Sequence, residues 1–531
     1  MINRHIFRKD IPRWLMLAVA YIIMAPVMLI NGAYTGSSVD ISSSLGVMSE
    51  DINMAYFSTS AGMSIAYPLI IKLRKVVTQK VIILWALLMQ VFLSLLCAEV
   101  NNMVIITLCS FFIGFFKALA LLEIIMILMP MLSPNNHRGI FYSKFYPVTL
   151  GLSQLSMVLT SELAYRYNWQ YMYYFMIALL LIAMIAVLLT FKYTELPKKI
   201  PLKDADWLSV FLCSIIYISI IYVFTYGKTF DWFNSTSIFV CTFFIIPIAV
   251  ILFIKRQLIK EDSYIDLSIL KNTNTSVGYL VMFICMFYVS ASVIVSSYVT
   301  SVLRLESNRL YELYIITIPG FILGAIICWS WFKKERRINL IIFFGFLCLV
   351  SSCAILYFTV SPKGQYSLLY IPMFLRGMGM IITFVVFGVY VVQGLHPDKF
   401  IYNVFFLIGI RSALSPAISS SIYSNTIYRL QQQYVVKLSD SINNTNPLAV
   451  EKYSQYYHSG LSKGFGVYEA QQYALSSINS LVQIQALTLT LKTILGWLTL
   501  LGIFILLIVL IYPFNNHKKL KFIKWKKSMG Y

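Results

Sequence analysis

Acidic side chains are scarce in this chain, with 21 Asp and Glu against 42 Lys and Arg in 531 residues. Charged residues of both signs make up 12% of it, about half the ~25% of an ordinary soluble domain. So little charge cannot keep a fold in water, which excludes a soluble globular protein. Histidine is rarer still: His5, His137, His396, His458 and His517 all lie outside the long apolar runs. A proton relay of intramembrane histidines is therefore excluded. The eight cysteines all lie inside apolar runs and none forms a CxxC pair. They read as small packing residues, with no metal site and no disulfide framework. No cofactor motif and no cluster of catalytic acids, bases or metal ligands is present, so neither a cofactor nor an enzymatic reaction is expected. The first apolar run, 14–34, lacks a small-residue cleavage site and is expected to remain as a membrane span.

What is abundant is apolar: 59% of residues are hydrophobic and the mean hydropathy is +0.76. A helix of about 20 residues crosses the ~30 Å hydrocarbon core of a bilayer. Fourteen runs meet that length: 14–34, 52–73, 81–98, 103–132, 140–164, 169–191, 206–226, 236–255, 275–299, 310–332, 338–358, 366–392, 400–423 and 491–513. The expected fold class is all-α, a polytopic membrane protein of fourteen transmembrane helices. The middle pair, in residues 201–272, reads as an insert between two six-helix bundles, 1–200 and 273–531.

The net charge of +21 is explained by the lipid bilayer rather than by nucleic acid, for which no partner role is expected. Lys and Arg gather in alternate connectors, among them Arg4 to Arg13, Lys72 to Lys80, Lys198 to Lys203, Lys333 to Arg337 and Lys518 to Lys527. Positive residues mark the cytoplasmic side, so both termini are expected there. The outer connector 424–490 breaks the rhythm by its length. Asn446-Pro447 and Gly464 divide it into candidate helices, and from about Val467 a helix is expected to run unbroken into the last span.

Several stretches carry a family resemblance. Asn168-Trp169-Gln170-Tyr171-Met172-Tyr173-Tyr174, Asp206-Trp207-Leu208-Ser209, Tyr264-Ile265-Asp266-Leu267, Arg376-Gly377-Met378-Gly379 and Arg411-Ser412-Ala413-Leu414 resemble stretches of the fourteen-helix drug:proton antiporter branch of the major facilitator superfamily. The resemblance implies two pseudo-symmetric bundles that rock around a midplane cavity. It implies export of amphipathic small molecules, drugs or lipid-like compounds, in exchange for protons across a bacterial inner membrane. It also implies a periplasmic adaptor protein and an outer-membrane channel as partners.

The departures fall on the coupling motifs. Lys75 stands where the family's loop aspartate belongs, and Ser110 replaces the arginine that precedes Gly114. Ser156 to Ser161 has lost the Gly and Pro of the antiporter motif, and Ile30-Asn31 occupies the place of an acidic residue in the first span. These losses support an alternative reading, a degenerate non-transporting member acting as a sensor or assembly partner.

Charge inside the hydrocarbon core costs ~2.5–3.5 kcal/mol per residue, so it marks function or a specific partner. Glu123 is the candidate for proton coupling. Asn31, Lys117, Arg376 and Arg411 are candidates for the substrate cavity or its charge network. Lys117 and Glu123 lie six residues apart on one span, too far around the helix to pair with each other.

Overall fold

The computed structural model describes residues 6–8, 11–36, 38–133, 137–193, 206–260, 263–443, 445–512 and 514. Fourteen long helices follow the fourteen apolar runs. In chain order they are α1 (Arg13–Gly36), α2 (Ser49–Arg74), α3 (Gln79–Glu99), α4 (Met103–Leu132), α5 (Arg138–Arg166), α6 (Tyr171–Thr190) and α7 (Trp207–Tyr226). They continue as α8 (Thr236–Ile259), α9 (Thr273–Val302), α10 (Arg309–Lys333), α11 (Ile338–Thr359), α12 (Tyr366–Tyr390), α13 (Phe400–Ser439) and α14 (Val467–Ile511).

Thirteen of these are apolar enough to span a membrane by composition alone. The exception is α5, which carries Ser143, Lys144, Ser153, Gln154, Ser156, Thr160 and Ser161. Of these, Ser143, Ser156, Thr160 and Ser161 are buried against the rest of the protein. Ser156 Oγ, for example, donates to the Leu29 carbonyl at 2.6 Å. A helix that faces protein can be polar where a lipid-facing helix cannot. The opposite case is α8, whose Phe239, Phe243, Phe244, Ile248, Ile251 and Leu252 are exposed as a lipid-facing surface.

The helices pair in the same way twice. In the first half α1 packs on α5, α2 on α4, and α3 on both α4 and α6. In the second half α9 packs on α13, α10 on α12, and α11 on both α12 and α14. The tightest of these contacts repeat residue by residue. A methyl at Gly114 would lie 1.8 Å from the Thr59 carbonyl oxygen, and one at Gly62 1.9 Å from that of Phe111. In the second half a methyl at Gly377 would lie 2.4 Å from the Thr317 oxygen, and one at Gly320 2.3 Å from that of Phe374. Thr59-x-x-Gly62 thus corresponds to Thr317-x-x-Gly320, and Phe111-x-x-Gly114 to Phe374-x-x-Gly377. Only glycine allows two backbones this close, and close backbone approach is how helices associate inside a membrane.

The halves meet along two equivalent seams, α2 against α13 and α5 against α10 and α12. The α7–α8 pair leans through α7 on α2 and α13 beside the first seam. Its ends are tied by Asp206, which caps α7 through Ser209 N and accepts from Arg256 Nε at 2.8 Å. Gln257 joins the knot, donating to Ser209 Oγ at 2.8 Å and accepting from Ile265 N at 2.9 Å.

Two helices carry wide turns just ahead of a proline: Cys241–Ile245 before Pro247, and Gly409–Leu414 before Pro416. Proline has no N–H to continue the ladder, and the extra residue absorbs the mismatch.

The long outer connector is helical over most of its length. α13 runs on to Ser439, past the end expected at 423, then a helix Pro447–Ser462 follows, and α14 begins at Val467 as expected. At ~1.5 Å per residue the 45 residues of α14 extend about 68 Å, more than twice the hydrocarbon core. Gln431 to Gln483 at 3.2 Å and Tyr434 to Thr493 at 2.9 Å tie the α13 and α14 extensions together.

Candidate functional site

The charged residues inside the spans meet four different fates. Glu123 is fully buried and is held from α2. Arg74 Nε and Nη2 donate to its two carboxylate oxygens, each at 2.6 Å. This two-point pair lies within the first half. Arg74 reads in the sequence as one more cytoplasmic cation of the connector after span two. It reaches Glu123 because it ends the helix that packs most closely on α4.

Arg376 braces a broken helix. The first segment of α9 ends at Ser290 and Ala291 adopts φ −60°, ψ −5°. The Val289 carbonyl beside this break accepts from Arg376 Nε at 3.1 Å and Nη2 at 2.7 Å. The braced break lies on the helix opposite the arginine's own.

Lys117 is fully buried, and its Nζ has no hydrogen-bond partner among the described residues. Asn31 falls in α1, but its side chain lies outside the described residues.

Arg411 stands at the seam, in the wide turn of α13. Its Nη1 donates to the Tyr146 hydroxyl of α5 at 3.0 Å. The guanidinium carbon lies 5.1 Å from the Tyr146 ring centre and 4.8 Å from that of Phe384 on α12. Tyr142 stacks on Tyr146 with ring centres 5.2 Å apart. Tyr67 of α2 is fully buried with its hydroxyl unpartnered among the described residues. Arg138, further along α5, also sits on a ring, 3.8 Å from the centre of Phe400 on α13. Among the described residues no carboxylate lies within ion-pair distance of Lys117, Arg376 or Arg411.

The tyrosines were missed as individuals because aromatic residues are abundant throughout. A usable signal was present: Tyr142 and Tyr146 are one turn apart on the one span too polar to face lipid.

A family model described as Major Facilitator Superfamily matches residues 14–420, the region that holds both glycine-locked helix pairs and the Arg411 seam. The chain belongs to the major facilitator superfamily. Within it, the chain is similar to the Multidrug export protein EmrB of Escherichia coli strain K12, at 23% identity over 363 residues, 67% of each chain. It is also similar to the Colistin resistance protein EmrB of Acinetobacter baumannii, at 22% identity over 307 residues, 56% of this chain and 57% of that one.

Among solved structures, a peptide transporter POT in complex with sulfate superposes with a TM-score of 0.54 at 14% identity, covering 93% of this chain and 94% of the other. The human organic anion transporter MFSD10 superposes with a TM-score of 0.50 at 10% identity, covering 94% of this chain and all of the other. At such identities these two share the fold. Membership of the superfamily makes the chain a multi-pass membrane protein of a transporter family, not of an enzyme family.

Proposed function

We propose that this chain is a secondary active transporter that exports amphipathic small molecules across a bacterial inner membrane, by alternating access and in exchange for protons. The observation that carries the reading is the seam itself. Two equivalent six-helix halves, taken as residues 1–200 and 273–531 around the insert 201–272, meet at a semi-polar helix and a ring-bound arginine. Rigid, glycine-locked pairs on either side let each half move as a body. Drug-like or lipid-like cargo is consistent with the similarity to a protein named for multidrug export.

Glu123 is the carboxylate proposed to take the proton. Its two-point pair with Arg74 joins α2 to α4, so the breaking of that pair is the proposed step that links the acid to the motion of these helices. Lys117, Arg411 and Asn31 are proposed to serve the substrate path, and Arg376 to brace α9. The charge pattern supports a cytoplasmic position for both termini. The joined extensions of α13 and α14 then project outward, and they are proposed to dock a periplasmic adaptor that reaches an outer-membrane channel.

The test is dye efflux from proteoliposomes of the purified protein with an imposed pH gradient. Accumulation against the dye gradient that collapses with the pH gradient supports the reading. Dye movement indifferent to the pH gradient removes the proton. No movement by folded protein removes transport and leaves the sensor or assembly role.

A further inference from the structure

Among the described residues of the spans, the basic side chains Lys117 and Arg411 are matched by neither a carboxylate nor a backbone carbonyl. The one fully buried carboxylate among the described residues of the spans, Glu123, is taken at both oxygens by Arg74. Arg376 is satisfied by a backbone carbonyl. Lys117 has no partner among the described residues, and Arg411 has rings and one phenol in place of a counter-ion.

A guanidinium carries five N–H donors in a planar fork that matches a carboxylate, sulfonate or phosphate. Among the described residues, one of those donors is matched by a protein acceptor at Arg411. Placing such a group at a seam that must open and close, without an acid to hold it, leaves its charge available to something that enters the seam. Tyr67 of α2, within electrostatic range of Arg411, supplies a second buried donor with no partner among the described residues. Tyr142, Tyr146 and Phe384 supply flat apolar faces that receive a ring or chain. A cationic drug finds no carboxylate here to offset its charge, and next to Arg411 it would be repelled.

We propose that Arg411, with Tyr67 and the rings of Tyr142, Tyr146 and Phe384, forms a binding site for amphipathic organic anions, compounds with one carboxylate or sulfonate and an aromatic or acyl body. The proposal deepens the exporter reading above and rests on it for the direction of transport, but the site itself is an equilibrium property of the folded chain.

The experiment is equilibrium binding to the purified full-length protein in detergent, with radiolabelled 1-naphthaleneacetate and its matched cation, (1-naphthylmethyl)trimethylammonium. The wild type is expected to bind the anion at least about tenfold more tightly than the cation. Arg411→Gln is expected to weaken anion binding by tenfold or more, Arg411→Lys to recover part of it, and Tyr67→Phe to weaken it several-fold. Size-exclusion profile and thermal stability check that each variant is folded. Equal binding of anion and cation by the wild type overturns the site, as does unchanged anion binding by a folded Arg411→Gln. If Arg411→Gln does not fold, Arg411→Lys and Tyr67→Phe decide: unchanged anion affinity in both overturns it. Anion binding of the expected pattern, without uphill movement in proteoliposomes, supports the site and sinks the exporter reading alone.

Discussion

Arg74 and Glu123 make a two-point contact in which both carboxylate oxygens lie 2.6 Å from guanidinium nitrogens, with the acid fully buried and the arginine one-fifth exposed. Removing one partner of a buried pair strands the other charge, at a cost of about 3–5 kcal/mol, whereas replacing both with apolar groups is far milder. Arg74→Ala and Glu123→Ala are therefore each expected to lower thermal stability strongly, and Arg74→Met with Glu123→Leu to recover most of it. The melting temperatures of the three purified variants check this. Glu123→Gln keeps the shape of the acid and is expected to abolish proton-driven export while leaving the protein in the membrane. Full export by that variant would remove Glu123 from the coupling role.

The glycine contacts predict a symmetric sensitivity. Gly114→Leu and Gly377→Leu each drive a side chain into a backbone carbonyl, that of Thr59 or Thr317. Overpacking of this kind costs about 1–3 kcal/mol and more where backbone blocks relaxation. Both variants are expected to lose monodisperse protein in detergent to a similar degree. Gly151→Leu, a glycine with open space around it, is expected to behave as the wild type.

Arg376 is proposed to act as a brace rather than a ligand, since its guanidinium is spent on the Val289 carbonyl. Arg376→Met leaves the Val289 carbonyl without its donors and is expected to cost about 1–3 kcal/mol of stability. The anion-to-cation preference of the protein should be unchanged. A melting curve and the binding assay above separate the two effects.

Asp266 gives a pH dependence outside the membrane. Burial raises its carboxyl, but hydrogen bonds from Lys399 and Ser268 outweigh burial and hold it below the usual carboxylate range. The folded value is the lower one, so its stabilisation is complete above the unfolded value of about 3.9. It is lost as pH falls through the folded value. Wild-type protein is expected to lose stability on acidification below about pH 4 more steeply than Asp266→Asn. Thermal melts from pH 3 to 6 measure the difference.

Orientation is open to labelling. Seven of the eight cysteines are buried and Cys241 is half-buried, so background reaction with an impermeant maleimide should be low. A cysteine at Leu475, exposed on the α14 extension, is expected to react from outside intact spheroplasts. One at Glu335, in the connector between α10 and α11, is expected to react only after the membrane is opened.

The helices were legible because length and hydropathy decide membrane insertion one span at a time. Even α5, too polar to pass on composition, was marked by its place in the alternation of charged connectors. The start of α14 at Val467 and the helix after Asn446 are marked by local breakers, while nothing local shows that the helical stretch before Asn446 continues α13 unbroken to Ser439. The Thr-x-x-Gly and Phe-x-x-Gly repeats stood in the sequence too. Four scattered glycines mean little, however, until two backbones are seen to cross at each.

The sequence by itself determined how many rods there are, roughly where they end and where charge enters them, since each of these follows from local chain and lipid. Tertiary structure alone decided partnership: that Arg74 rather than an intramembrane cation holds Glu123, that Arg376 serves a carbonyl on another helix, and that Arg411 rests on rings from α5 and α12. Those contacts join residues dozens to hundreds of positions apart. They are set by which helix faces turn toward each other, a property of packing that no single stretch of chain carries.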